Sequence, residues 1–155
     1  MAQKKTAMEY AILLLGLRAY STAGLKKKLY AKEYSTGEIS QVIQEGTRHG
    51  FLNDEHYAEN LAAAVYARGG GKRKAIQKLR TKGIDSELIK ETLAEKEDGN
   101  VMTELEAAAG ALSRKASAFA REPDPRKRRE KALRFLAGRG FSAQVAYEAL
   151  RKLAM

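Results

Sequence analysis

The sequence contains no cysteine and only two prolines and two histidines. Without cysteine the chain forms neither a disulfide scaffold nor a thiolate zinc site, and it suits a reducing cytosol, so we expect a cytoplasmic protein. The longest apolar run, residues 10–15, is far too short to cross a bilayer. No small-residue cleavage site follows it, as one would in a signal peptide. We therefore expect no contact with a membrane.

Patterns that support catalysis or cofactor binding are also missing. The Gly69-Gly70-Gly71-Lys72 run resembles a phosphate loop only superficially, because such a loop follows a strand and its lysine precedes Ser or Thr. The two histidines have no partners at metal-ligand spacing, and no nucleophile and base can be paired. We expect no catalytic residues, no metal site and no cofactor. A metal-dependent nuclease remains an alternative that rests only on scattered carboxylates.

Frequent Ala, Leu, Lys and Glu, with no strand-like alternation, predict an all-α fold. The predicted helices cover residues 5–19, 22–31, 36–49, 72–82, 86–95, 101–121 and 126–139. A fourth helix in chain order follows Asn53 and is broken by the Gly69–Gly71 run, and a ninth follows Ser142 and carries Leu153. The predicted N-caps are Ser21, Ser35, Asn53, Asp85, Asp124 and Ser142. On the first helix the predicted inward stripe is Met8, Ile12, Leu15 and Ala19, and on the fourth it is Tyr57, Leu61, Ala64 and Val65.

Three segments repeat one spacing, in which an apolar residue is followed by another five positions later and a third nine positions after that. The three sets are Leu29, Tyr34 and Ile43; Leu79, Ile84 and Leu93; and Leu136, Phe141 and Leu150. A capping residue follows the middle position each time, and the residue before it is Glu33, Gly83 or Gly140. The pattern predicts a tandem array of three three-helix repeats, at 5–52, 53–97 and 100–155, forming an elongated, curved body. A polar joint is expected at 96–100.

Charge is the strongest functional signal. The net charge is +10, and residues 68–84 carry seven basic side chains and no acidic one. The second helix of every repeat is basic, and like charges one turn apart, such as Lys74, Lys78 and Lys82, repel each other. Such a row indicates a polyanionic partner, unless it is simply a solvated surface. The candidate contact residues are Lys26, Lys27, Lys28, Arg68, Lys72, Arg73, Lys74, Lys78, Arg80, Lys82, Arg126, Lys127, Arg128, Arg129, Lys131 and Arg134.

Two further features bear on this surface. Residues 85–106 are acidic, with eight carboxylates against Lys90 and Lys96, so the charge is segregated along the chain. Tyrosines can stack on bases. Tyr34 and Tyr57 occupy core positions in the repeat, whereas Tyr30 and Tyr66 are open between stacking and packing.

A series of short motifs runs along the chain in a fixed order: Gly50, Phe51, Leu52, Asn53 and Asp54; Tyr57 and Ala58; Arg68; Gly71, Ile76 and Leu79; Lys82, Gly83 and Ile84; Asp124; Arg134, Phe135 and Leu136; and Arg139, Gly140, Phe141 and Ser142. On these motifs the chain resembles the RecX family of bacterial recombination regulators, over nearly its whole length, from about residue 7 to 153. Asn53 stands where the family often has an acid, a change that still permits capping.

The resemblance implies a non-enzymatic modulator of the RecA recombinase. Such proteins are built of tandem three-helix units, lodge in the groove of the RecA–DNA filament and usually inhibit its ATP hydrolysis and strand exchange; some also bind DNA directly. We expect a monomer that contacts the filament and single- or double-stranded DNA, mainly through phosphates. The alternative is a stand-alone basic DNA-binding protein that acts without RecA.

Overall fold

The computed structural model of the chain describes residues 4–94 and 102–155. Regular secondary structure in these two ranges is entirely helical, which confirms the predicted fold class. The helices are α1 (Ala7–Leu17), α2 (Thr22–Ala31), α3 (Thr36–Arg48), α4 (Asp54–Ala67), α5 (Lys72–Thr81), α6 (Ser86–Leu93), α7 (Glu104–Arg114), α8 (Ala116–Ala120), α9 (Pro125–Gly138) and α10 (Ala143–Lys152). The predicted joint at 96–100, with the predicted helix ends at 95 and 101, lies outside the described residues.

Six helices (α2, α3, α4, α6, α9 and α10) begin where the capping residues predict, whereas α1 covers Ala7–Leu17 rather than the predicted 5–19. The side chain of each predicted N-cap accepts a hydrogen bond from a first-turn backbone N–H. Thr6 and Thr103, which are not among the predicted N-caps, cap α1 and α7 in the same way. Because the first N–H groups of a helix have no partner within it, these side chains fix the starting residue.

The three second helices, α2, α5 and α9, end in the same turn. The residue before each middle anchor is left-handed, with φ of 65° at Glu33, 76° at Gly83 and 94° at Gly140. The anchor N–H then donates to the carbonyl five residues back, as from Ile84 to Leu79 at 3.1 Å. This is the hydrogen-bond pattern of a Schellman turn. Glu33 therefore makes the same turn without glycine.

Two predicted details of α1 and α7 are wrong. In α1, which is apolar on most sides, Ala7, Ala11 and Leu14 are buried, whereas the predicted Ile12 is 56% exposed. Periodicity alone could not choose the buried face there, and small side chains turn inward where α1 packs on α2 and α3. The single helix predicted at 101–121 is instead α7 and α8, separated at Lys115, whose N–H bonds only three residues back, to Leu112.

The inward face of α4 also differs from the prediction. Its buried residues are Ala58, Ala62, Val65 and Tyr66, so of the predicted set only Val65 is fully buried. The sequence leaves both Tyr30 and Tyr66 open between base stacking and packing. Tyr66 is 8% exposed and packs in the core, whereas Tyr30 is 51% exposed. Tyr34 is buried, as expected from its position in the repeat.

The helices form three units: unit 1 (α1–α3), unit 2 (α4–α6) and unit 3 (α7–α10). Buried residues of unit 1 form one apolar core, and those of units 2 and 3 form a second, continuous core. The accessible surface of 10448 Å² exceeds the roughly 7,700 Å² expected of a compact monomer of this mass. The large surface agrees with an elongated array of units.

Candidate nucleic-acid interface

The three basic helices follow one another end to end. At the first junction, the N–H groups of Gly71 and Arg73, at the start of α5, donate to the carbonyls of Arg139 and Gly140, at the end of α9, at 2.9 and 3.1 Å. At the second junction, Ser21, the N-cap of α2, donates from its Oγ to the carbonyl of Lys82, which ends α5, at 2.7 Å. We call this succession, α9 to α5 to α2, the basic row.

Both junctions need glycine because a side chain there would collide with the neighbouring helix end. A methyl group added at Gly71 would lie 2.5 Å from the carbonyl oxygen of Gly140, and one added at Gly83 would lie 2.4 Å from the Cβ of Ala23. The Gly69–Gly71 run therefore ends α4 and brings α5 against α9. The N–H of Gly71 is used in that contact, which excludes the phosphate-loop role for these glycines.

A carboxylate from the next unit caps the N-terminus of α2 and of α5. Asp54, the first residue of α4, accepts a hydrogen bond from the N–H of Thr22, the first residue of α2, at 2.8 Å. Glu104, the first residue of α7, accepts one from the N–H of Lys72, the first residue of α5, at 3.1 Å. Both carboxylates face the positive end of a helix dipole, which stabilises their charge.

Most of the candidate cations on the basic row are exposed. The half-buried ones are Lys74, Lys78 and Arg128. Lys74 lies at the junction with α9, where its backbone N would be 2.8 Å from a methyl group on Gly140. The i, i+4 row of Lys74, Lys78 and Lys82 is therefore only partly available to a partner, and the exposed cations of α5 are Lys72, Arg73, Arg80 and Lys82.

On α9, part of the positive charge is bound within the chain. Arg128 donates from Nε and Nη2 to the carbonyl of Glu122, at 3.1 and 2.9 Å, and Lys131 pairs with the Glu122 carboxylate at 2.8 Å. The hydrogen bond from Lys131 lowers the pKa of Glu122 below its usual value. Arg126 pairs with Glu130 at 3.5 Å. Among the described residues, Lys127, Arg129 and Arg134 have no acidic partner within 4.0 Å.

Most cations of α2 and α5 have no ion-pair partner among the described residues. Within the described part of the chain, no carboxylate lies within 4.0 Å of Lys26, Lys27, Lys28, Arg73, Arg80 or Lys82. The α6 acid Glu87 pairs with Lys90 of its own helix at 3.6 Å. Cations left unpaired on a folded surface are available to an external anion.

One cation beside the row, Arg18, is not among the predicted contact residues. Arg18 and Tyr20, in the α1–α2 connection, lie with Lys27, Lys28 and Lys82 around a depression of about 370 Å³ at the α2–α5 junction. The Arg18 guanidinium stacks 4.9 Å from the Tyr20 ring centre. Connecting residues carry no periodic signal, so only the fold shows that Arg18 extends the basic surface.

The exposed cations of the row carry the charge that attracts phosphates. Among the described residues no three His, Asp or Glu side chains are grouped as a metal site would require. His49 is exposed and contacts Glu45 at 3.2 Å. No described helix combines the length and apolarity needed to span a bilayer.

The fold and the basic row define a tandem helical-repeat protein with a cationic surface. Models of the RecX family match the chain in three places: the first three-helix domain at residues 7–45, the second at 53–93 and the third at 103–150. The chain therefore belongs to the RecX family.

Individual relatives agree with this assignment. The chain is 34% identical to the regulatory protein RecX of Trichlorobacter lovleyi, over 92% of each chain. It is 35% identical to that of Pelodictyon phaeoclathratiforme, over 96% of this chain and 89% of the relative. The crystal structure of RecX from Lactobacillus salivarius superposes with a TM-score of 0.83 at 19% identity, covering 96% of this chain and 94% of that one, which shows the shared fold. These names support a regulatory role.

Proposed function

We propose that this protein binds the filament that the RecA recombinase forms on DNA and that it modulates, mostly by inhibition, ATP hydrolysis and strand exchange. Its family membership and the end-to-end basic row support this role. The supporting observation with most weight is that the three cationic helices are consecutive in space as well as similar in sequence. We expect the protein to act in the cytoplasm, as a monomer and without cofactor or catalysis.

The dimensions of the row suit a fibre. Helices of 10, 10 and 14 residues have a summed axial length of about 50 Å at 1.5 Å per residue. A nucleic-acid strand presents a phosphate about every 3.4 Å in B-form DNA, so the row faces many phosphates at once. Occupancy of such a length along a filament would obstruct incoming duplex.

The side chains of the row suit phosphates better than base edges. Sequence reading uses a recognition helix with Asn, Gln and Arg placed against bases, whereas these helices carry mostly Lys and Arg. We therefore propose contacts to the phosphate backbone, to acidic RecA surface, or to both, through the exposed cations of α2, α5 and α9.

The test adds purified protein to preformed RecA filaments on single-stranded DNA. We expect ATP hydrolysis and strand exchange to fall as the protein is added. The variant R73E/R80E/R129E, at exposed positions on the row, should lose most of the inhibition. The control R48E/K90E/K152E makes the same change in net charge on α3, α6 and α10, and should retain it.

Two outcomes would contradict the proposal. An absence of any effect on RecA at low salt would remove the filament as the target. If both variants lose inhibition equally, net charge rather than the row explains the effect. DNA affinity measured against salt with and without RecA separates filament binding from the stand-alone DNA-binding alternative, which predicts the same tight binding when RecA is absent.

A further inference from the structure

The junction between α2 and α5 gathers cations from three separate elements. Arg18 comes from the α1–α2 connection, Lys27 and Lys28 from α2, and Lys82 from the end of α5, and all of them line the depression of about 370 Å³. Like charges brought together by folding repel each other, and no carboxylate lies within 4.0 Å of these four among the described residues. Such a cluster is stabilised when an anion occupies it.

Hydrogen bonds and a ring contact hold the walls of the depression in place. Ser21 is 2% exposed; its Oγ donates a hydrogen bond to the Lys82 carbonyl and accepts one from the N–H of Gly24. Tyr20 and Tyr57 are half-buried, and Tyr20 holds the Arg18 guanidinium over its ring. The backbone on both sides of the depression is thus held by hydrogen bonds, and the contact with Tyr20 restricts Arg18 before any ligand binds.

Arg18 lies on the same depression as Tyr57 and affects its ionisation. Burial raises the pKa of the Tyr57 hydroxyl, Arg18 opposes that rise, and Asp54 adds to it. The guanidinium of Arg18, from unit 1, therefore acts on a side chain of unit 2. Asp54 itself is held by the N–H of Thr22 and does not line the depression.

We propose that this depression binds the phosphate backbone of a single-stranded nucleic acid, with Arg18, Lys27, Lys28 and Lys82 as its ligands. The inference rests on the part of the proposed function in which the basic row meets DNA, and it adds a defined point on that row. The depression is about as large as one nucleotide, at the low end of ligand-site volumes. Half-buried tyrosine rings in its wall suit an unpaired strand better than a duplex, whose bases are already stacked.

Occupancy would also join the two cores of the molecule. Arg18, Lys27 and Lys28 belong to unit 1, whose core is separate, and Lys82 belongs to unit 2. A phosphate held by both sides adds a bridge to the Ser21–Lys82 and Thr22–Asp54 hydrogen bonds. Binding should therefore slow the relative motion of units 1 and 2.

The test measures the affinity of a fluorescent 15-nucleotide thymidine oligomer by anisotropy, without RecA. The variant R18Q/K28Q/K82Q should bind at least tenfold more weakly than the wild-type protein at low salt. Its log–log salt slope should fall by about two, because each phosphate that a cation neutralises adds about 0.7 to the slope. The control R48Q/K90Q/K152Q, which removes the same charge elsewhere, should stay within about twofold of wild type.

A second measurement does not depend on the variants folding. In the wild-type protein, the amide resonances of Gly24 and Gly83, which flank the depression, should shift on adding the oligomer. Inorganic phosphate at the same phosphate concentration should shift them much less. Equal weakening in both variants, unshifted amides, or equal responses to free phosphate would each overturn the proposal. Since RecA is absent, a failure here is distinct from a failure to inhibit RecA.

Discussion

The left-handed turns after the basic helices are decided by single residues. Gly83 and Gly140 combine a positive φ with a close approach to the neighbouring unit, whereas Glu33 has the positive φ in an exposed turn. A non-glycine residue in this conformation costs about 1–2 kcal/mol, but it creates no clash at Glu33. The glycines at the junctions are therefore required for two reasons: the positive φ and the lack of room for a side chain.

Three glycine-to-alanine variants separate these two effects. Gly140→Ala combines the unfavourable φ of 94° with a steric clash, since the new methyl lies 2.8 Å from the Lys74 nitrogen. We therefore expect the free energy of unfolding to fall by more than about 2 kcal/mol. Gly50→Ala has φ of 79° and open space, so the loss should be about 1 kcal/mol. Gly138→Ala, in α9 with nothing nearby, should be neutral or slightly stabilising. Urea denaturation measures all three, and equal losses at 140 and 50 would show that the contact with Lys74 is unimportant.

Glu122 gives a pH-dependent prediction. Its pKa is lowered from the ordinary 4.5, chiefly by the hydrogen bond from Lys131, so its stabilising effect is present above that value and disappears as the pH falls through the lowered one. We expect Glu122→Gln to lower the thermal midpoint at pH 7 and to match wild type at pH 2. Glu130→Gln, which breaks the exposed pair with Arg126, should have little effect at either pH. A Glu122→Gln deficit that persists unchanged at pH 2 would contradict this account.

At the scale of elements, the units are joined by capping across their boundaries. α5 has no side-chain cap of its own, since Gly71 precedes it, and Glu104 from unit 3 accepts the N–H of its first residue instead. α2 has its own cap, Ser21, and gains Asp54 from unit 2. These two basic helices therefore have their positive ends satisfied by the neighbouring unit, which ties helix stability to array formation.

Asp54 tests this coupling. Asp54→Ala removes the acceptor of the Thr22 N–H, so we expect a loss of about 1 kcal/mol beyond that of Glu55→Ala. Glu55 also lies in the first turn of α4 but is exposed and caps no other helix, so it shares only the dipole contribution. Amide exchange at Thr22 should accelerate in the first variant only. Identical behaviour of the two variants would mean that the contact between units adds nothing.

Most elements were predictable because their signals are local. Caps such as Ser35 and Asp124, and the positive-φ glycines, determine where helices begin and end through hydrogen bonds to the adjacent turn. The break at Lys115 was not predictable, because its alanine-rich surroundings carry no stop signal and α8 is placed by Phe119 packing 5.7 Å from Phe135. The candidate site was also predictable only in part. Repeat spacing indicated the basic helices, but the contribution of Arg18 and the half-burial of Lys74 depend on how the units pack.

At the scale of the whole molecule, the units differ in how they share their apolar cores. Unit 1 buries Leu25 and Leu29 in its own core, while units 2 and 3 share one that includes Leu79 and Leu136. The boundary between units 1 and 2 includes the hydrogen bonds of Ser21 and Asp54. Regions with fewer buried apolar contacts open at lower free energy than the main core.

Native-state hydrogen exchange tests this inequality. The amides of Leu25 and Leu29 should exchange through an opening that requires less free energy than the one exposing Leu79 and Leu136. Leu79 and Leu136, in different units, should exchange together because they share a core. If Leu25 exchanges only with global unfolding, units 1 and 2 are a single cooperative body and the account of separate cores is wrong.

We propose that α2, α5 and α9 act together as one cationic surface on a polyanionic fibre. The most direct measurement is the salt dependence of affinity for RecA filaments on single-stranded DNA, compared among wild type, Lys26→Gln, Arg80→Gln and Arg129→Gln, one change on each helix. We expect every variant to weaken binding and to lower the log–log slope by about 0.7. A slope that changes for one helix and is unaltered for the other two would show that the three helices do not contact the filament together.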